Sequence, residues 1–138
     1  MNEDYVSFET TKLLREKGLR YDMPTMLIAS NNKPFISGSS GYDILTKIGI
    51  EVYPALTLQM AMKWLREVHN IHIAINILND SQGVKDADNP ERWWYYFDIV
   101  NTKGVYKEEL QPNPLSNEYE TYELAGEAAI KYVLENLI

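Results

Sequence analysis

Apolar positions recur along this chain with two periods, and the period changes mark the elements. From Thr57 to Val68, at about 100° per residue, Leu58, Ala61, Trp64, Leu65 and Val68 share one side. Gln59, Lys63, Arg66 and Glu67 share the other, which predicts an amphipathic helix ended by His69 and a left-handed Asn70. The period then drops to two: Ile71, Ile73, Ile75 and Ile77 alternate with His72, Ala74 and Asn76, as in a half-buried strand. Trp93 to Val100 reads as a second strand, with Asn101-Thr102-Lys103-Gly104 suited to a type I turn and glycine bulge into Val105-Tyr106. Ser7 is a suitable N-cap for a helix over Phe8 to Lys17, and Gly18 suits its left-handed end. Met26 to Ser30 and Lys33 to Ser37 predict a small hairpin around Asn31-Asn32, because asparagine tolerates positive φ.

The remaining segments are less regular. Ser37-Gly38-Ser39-Ser40-Gly41 reads as a loop, as does Asp80 to Pro90, and Pro112 and Pro114 break the chain. Residues 42–53 fit two patterns: Ile48, Ile50 and Val52 alternate like a strand, whereas Asp43 suits the start of a helical turn. Thr121 caps a last helix whose apolar side is Leu124, Ala125, Ala128, Ala129, Tyr132 and Val133. Its Glu123, Glu127, Lys131 and Glu135 follow one another at i, i+4 on a solvated row. The order predicts an α+β fold: an antiparallel sheet with about three helices, mainly packed on one face.

At 138 residues, with no linker, a single domain spanning 1–138 is expected. Lys12-Leu13-Leu14-Arg15-Glu16 and Lys63-Trp64-Leu65-Arg66-Glu67 agree at four of five positions, 51 residues apart. Lys131-Tyr132-Val133-Leu134-Glu135 echoes them. Good helix formers produce such strings by themselves. The alternative is a degenerate helix–hairpin repeat over 7–56 and 57–107, followed by a C-terminal helix over 121–138.

Charge narrows the classes of partner. Twenty acidic against thirteen basic residues give −7. Residues 1–69 hold eight of each and sum to zero, so the whole excess lies in 70–138, with twelve acidic and five basic. Between Lys107 and Lys131 there is no basic residue, while Glu108, Glu109, Glu118, Glu120, Glu123 and Glu127 fall there beside Tyr106, Tyr119 and Tyr122. Such a chain is expected to avoid nucleic acid. The absence of cysteine excludes disulfides and thiolate chemistry. No apolar stretch reaches the roughly 18 residues of a membrane span, and Met1-Asn2-Glu3-Asp4 is not a signal-peptide start, so a cytoplasmic protein without a membrane partner is expected.

Motifs for chemistry are sparse. The two histidines, His69 and His72, flank the break at Asn70 and make no metal site by themselves. Asp80, Asp86, Asp88 and Glu91 lack the spacing of a calcium loop, and Gly38-Ser39-Ser40-Gly41 lacks the lysine of a phosphate loop. No Gly-x-Ser-x-Gly elbow occurs, so no catalytic residue, cofactor or metal ligand is assigned. The most unusual run is Trp93-Trp94-Tyr95-Tyr96-Phe97, where one alternate set must be core. The other set is either covered as well or forms a Trp/Tyr contact patch. The candidate interaction patch is Trp94, Tyr96, Tyr119 and Tyr122 with Glu118 and Glu120.

Tyr5-Val6-Ser7-Phe8-Glu9 with Lys12-Leu13-Leu14, Leu58 to Glu67, Tyr122-Glu123 and Glu127 to Ile138 together resemble small uncharacterised proteins of gut anaerobic bacteria and their phage-like mobile elements. The resemblance implies a mobile-element accessory protein and carries no catalytic residue. Three functions stand as expectations. The preferred one is a non-enzymatic binding or regulatory protein acting through a protein partner, with a homodimer as a further candidate. The others are an acidic DNA mimic that occupies a DNA-binding protein, and a small hydrolase or transferase with an unmarked site. At about 0.15 M salt the purified chain is expected not to retain duplex DNA. Salt-sensitive retention at micromolar protein would mean that the basic residues of the first half cluster in space.

Overall fold

The computed structural model describes residues 4–20, 26–38, 41–79, 93–101 and 118–138. Helix α1 spans Phe8–Glu16; Ser7 caps it, its Oγ accepting the Thr10 N–H at 3.2 Å, and Gly18 follows at φ +109°. Strands β1 (Met26–Ile28) and β2 (Phe35–Ile36) form the predicted hairpin, shortened to two register pairs, with Asn32 at φ 60° in its turn. The ambiguous segment resolves into a helix, α2 (Gly41–Lys47), and then β3 (Tyr53–Pro54). Helix α3 (Leu58–His69) starts on Thr57, whose Oγ1 accepts the Met60 N–H, and ends on a left-handed Asn70 at φ 58°. Strands β4 (Ile71–Asn79) and β5 (Trp93–Asn101) follow, and α4 (Tyr122–Asn136) starts on Thr121.

The fold class is α+β, with four helices among the described residues where about three were expected. The additional helix, α2, buries none of its residues, so no core stripe announces it in the sequence. The strands form two antiparallel sheets: one has order β2-β1-β3, and the other is the β4–β5 ribbon. The ribbon runs in unbroken register from Ile71 opposite Asn101 to Asn79 opposite Trp93. Ile71, Ile73, Ile75, Phe97 and Ile99 face the helices: Ile71, Phe97 and Ile99 share one core cluster with Leu58, Ala61, Met62 and Leu65 of α3 and Ala129, Ile130, Val133 and Leu134 of α4, and Ile73 and Ile75 pack against it. Leu14 and Leu65, which hold the same place in the repeated string, are both fully buried in that cluster. The helices bearing them lead into different sheets.

Two helix faces differ from the periodic reading. Met62 is buried in α3, while Val68 is 56% exposed and Trp64 is only partly covered. The buried stripe centres on Ala61 and Leu65, which leaves Val68 and Trp64 on its flank. The cause is tertiary: Gly126 lets α4 approach so closely that a Cβ there would lie 3.1 Å from Met62 Cε. In α4, Ile130 and Leu134 are buried and Leu124 is 53% exposed, again a rotation of the expected stripe. Burial also fades along β4, from Ile71 in the core to Ile77 at 53% exposure, because the helices cover only its first part.

Glu127 leaves the solvated row expected of it. Its Oε1 accepts the Ser7 N–H at 3.2 Å, the Ser7 hydroxyl at 2.5 Å and the Thr10 hydroxyl at 2.6 Å. Lys131 pairs instead with Glu135 at 4.0 Å. A carboxylate at a helix N-terminus is favoured by the macrodipole, and bonds to a charged acceptor are the stronger kind. Glu127→Ala is therefore expected to cost about 2–4 kcal/mol in urea unfolding. Glu67→Ala, which removes an exposed ion pair at 3.9 Å, serves as the comparison and should cost under about 0.5 kcal/mol. Equal losses would mean that the Glu127 carboxylate does not hold α1.

Candidate functional site

With α3 and α4 on the odd face of the ribbon, the even face carries His72, Ala74 and Asn76 from β4 and Trp94, Tyr96, Asp98 and Val100 from β5. None of these belongs to the helix-facing core cluster, and no described helix packs over them. The register sets the surface: His72 opposes Val100, Ala74 opposes Asp98, and Asn76 opposes Tyr96. Asn76 Nδ2 donates diagonally to Asp98 Oδ2 at 2.8 Å, which orients the carboxylate beside the Tyr96 ring position. Trp94, Tyr96, Asp98 and Val100 are half-buried, while His72 and Ala74 are exposed.

The six residues of the expected patch divide between two places. Trp94 and Tyr96 lie on this even face. Tyr119 stacks on Phe97 at 6.0 Å, on the helix side, and exchanges backbone bonds with Tyr95 at 2.8 Å in both directions. Tyr122 sets its ring edge-on to Tyr95 at 6.5 Å, and Glu118 and Glu120 are exposed on either side of Tyr119. The aromatic run thus puts Phe97 in the core and leaves Trp94 and Tyr96 on the far side of the strand. Burial raises the Tyr119 phenol above its ordinary range, as expected of a ring packed under the sheet. Glu108, Glu109, Tyr106, the Asp80-to-Pro90 loop, Pro112 and Pro114 lie outside the described residues, as does the Asn101-to-Gly104 turn beyond Asn101.

Asn76 and Asp98 escaped the sequence reading, although one signal pointed to them. Asp98 is the single charge within Trp93 to Val100, and period two puts it on the same side as Trp94 and Tyr96. The acidic row loses Glu127 to the α1 contact, which removes one of the carboxylates that a DNA mimic would display.

Other polar groups gather around α1. Lys12 Nζ lies 3.0 Å from Glu51, and the Tyr53 hydroxyl donates to the same carboxylate at 2.5 Å. The Arg15 guanidinium sits 5.9 Å from the Tyr42 ring centre and 5.8 Å from that of Tyr53, and Phe8 tilts against Tyr53 at 5.4 Å. Burial first, and then the bond to Glu51, push the Tyr53 phenol up to about 12. That bond and Lys12 hold Glu51 below the usual carboxylate range, and Glu51 in turn raises Lys12. The phenol, carboxylate and ammonium satisfy one another, so none is poised near neutrality for proton transfer, and the cluster ties α1 to α2 and β3. His69 Nε2 is buried without a hydrogen-bond partner among the described residues, against the edge of Trp64 at 4.8 Å, while His72 is exposed on the even face. No group of three metal-ligating side chains occurs among the described residues, and no helix there is long and apolar enough to cross a membrane. Comparison of the chain with protein families, with curated proteins and with solved structures returns no match in any of the three.

The Tyr53 shift has a direct consequence for stability. The folded state keeps the phenol protonated up to about pH 12, whereas the ordinary tyrosine value is 10.0. Its contribution is complete below the lower of these and disappears as pH rises through the higher. Tyr53→Phe should flatten the loss of stability over that window, and phenolate absorbance should lose a step near pH 12. A titration curve that scales down evenly, with no such step removed, would count against a Tyr53 phenol raised by burial and the bond to Glu51.

Proposed function

We propose that this chain is a non-catalytic binding protein that acts through a protein partner docked on the even face of the β4–β5 ribbon. The observation that carries this reading is the one-sided packing: every helix contact in the core cluster comes from the odd-numbered side chains. The even face combines the residue types that anchor protein interfaces, an aromatic pair with an aliphatic neighbour, and a carboxylate held at a set angle. Asp98 accepts one bond from Asn76 and has capacity for further donors. The fitting partner is a segment that covers Tyr96 with an apolar side chain and presents a lysine or arginine to Asp98. A cationic partner also suits a chain whose net charge is −7.

The test is capture by the immobilised full chain from an extract of the source cells, with wild type and Tyr96→Ser compared. Wild type should retain a protein that Tyr96→Ser loses, while the variant unfolds in urea within about 1 kcal/mol of wild type, as a substitution at a half-exposed site should. Asp98→Asn should weaken the same retention and reduce its salt dependence. Equal retention by all three chains, or none by wild type, would refute the reading.

A further inference from the structure

The backbone of the ribbon has a second feature, which stands independently of the side chains on its even face. Tyr95 and Tyr119 exchange both backbone hydrogen bonds, so the polar groups of Tyr95 point away from β4. In an antiparallel ladder the direction alternates with every residue, so Tyr95 and Ile77 form a pair without mutual backbone bonds. By the same alternation, the N–H and C=O groups of Ile73, Ile75 and Ile77 point to the other edge of β4, away from β5. No described residue donates to them or accepts from them.

Natural edge strands are guarded by charge, proline, a bulge, shortness or a covering helix or loop. β4 has none of the first four among its nine residues, and no described residue bonds to its outer edge. Its sequence, IHIAINILN, contains no charged residue and no proline, and its register with β5 skips no position. In a chain of net charge −7, this strip is one where two copies can meet without opposing charges.

We infer that the outer edge of β4, unpaired among the described residues, pairs antiparallel with the same edge of a second copy of this chain, about a two-fold axis at Ile75. The pairing is self-complementary. Ile75 faces its own equivalent, Ile73 faces the partner's Ile77, and Ile77 faces the partner's Ile73. All three positions have outward-pointing polar groups, so each pair exchanges two bonds. β-Branched residues meet across the new ladder on the helix side, a favourable cross-strand combination. Ile77, 53% exposed in the single chain, gains a neighbour there. The two ribbons merge into a four-stranded sheet of order β5-β4-β4-β5, with both even faces on one surface.

Sedimentation of the full chain over a range of concentrations tests this, together with residue-resolved amide exchange. Wild type should sediment as a dimer that dissociates on dilution, with the Ile73, Ile75 and Ile77 amides slowed only where the dimer is populated. Ile77→Lys places a typical edge guard at an exposed position and should weaken the dimer at least about tenfold without unfolding the monomer. Ile75→Pro removes an N–H that the β4–β5 ladder does not use and should do the same. A monomer at every concentration would overturn the inference, and so would a dimer in which these three amides exchange freely. If either variant fails to fold, the exchange pattern of wild type still decides. Loss of partner capture by Tyr96→Ser, with dimerisation intact, would leave the inference standing and separate it from the even-face reading.

Discussion

The start of α1 is the point on which the two halves of the molecule depend. Three elements supply acceptors to its first amides. Ser7 Oγ takes the Thr10 N–H from within the helix, Asn32 Oδ1 takes the Phe8 N–H at 2.9 Å from the β1–β2 turn, and Glu127 takes the Ser7 N–H from α4. The donors of a helix's first turn have no partner inside the helix, so whatever satisfies them determines where the helix is held. Here one acceptor comes from the three-stranded sheet and another from the helix that covers the ribbon. Bonds from Val6 N–H to Leu56 O at 2.8 Å and from Leu58 N–H to Asp4 O at 2.9 Å then pin the preceding residues beside the entry to α3. α1 thereby links the first sheet to the α3–α4 layer through directional bonds as well as apolar contact.

With α1 held this way, α3 and α4 are committed to the odd face of the ribbon. Gly126 sets how near they lie, and Leu65, Ile130, Val133 and Phe97 fill the space between helices and sheet. A layer of two helices covers the first part of the ribbon and leaves its far end, around Ile77, in solvent. The open surfaces are therefore consequences of coverage. Among the described residues, no helix lies on the even face, and the one strand that pairs with β4 lies on its other edge.

The charge pattern acquires a different meaning in three dimensions. The acidic excess of the second half is not a uniform solvated skin, since Glu127 is internal to the fold and Asp98 is bonded across the ribbon. Basic residues of the first half are likewise spent within it. Lys12 is engaged by Glu51, and Arg15 lies against Tyr42 and Tyr53. Net charge controls long-range encounter, but the groups available for contact are those that the packing leaves over.

The sequence by itself determined the local elements. Ser7, Thr57 and Thr121 mark helix starts because a hydroxyl next to free amides works through contacts three residues away. Gly18 and Asn70 mark ends because they tolerate positive φ. The alternation of Ile71 to Ile77 announced a strand for the same reason of range: period two is a property of the backbone. Everything that depended on which element lies against which was decided by tertiary structure. Helix periodicity locates a stripe to within about a residue, so docking against Gly126 and the ribbon chose Met62 over Val68 and Ile130 over Leu124. α2 was invisible as a buried element because it buries nothing. The even face was half legible, since alternation placed Trp94, Tyr96 and Asp98 together, but only the position of the helices showed which side they leave open. Glu127 was the least legible of all. It reads as one more glutamate on an i, i+4 row, and its partner Ser7 lies 120 residues away. Directional bonds between such distant residues leave no periodic trace in a chain, because nothing local requires them.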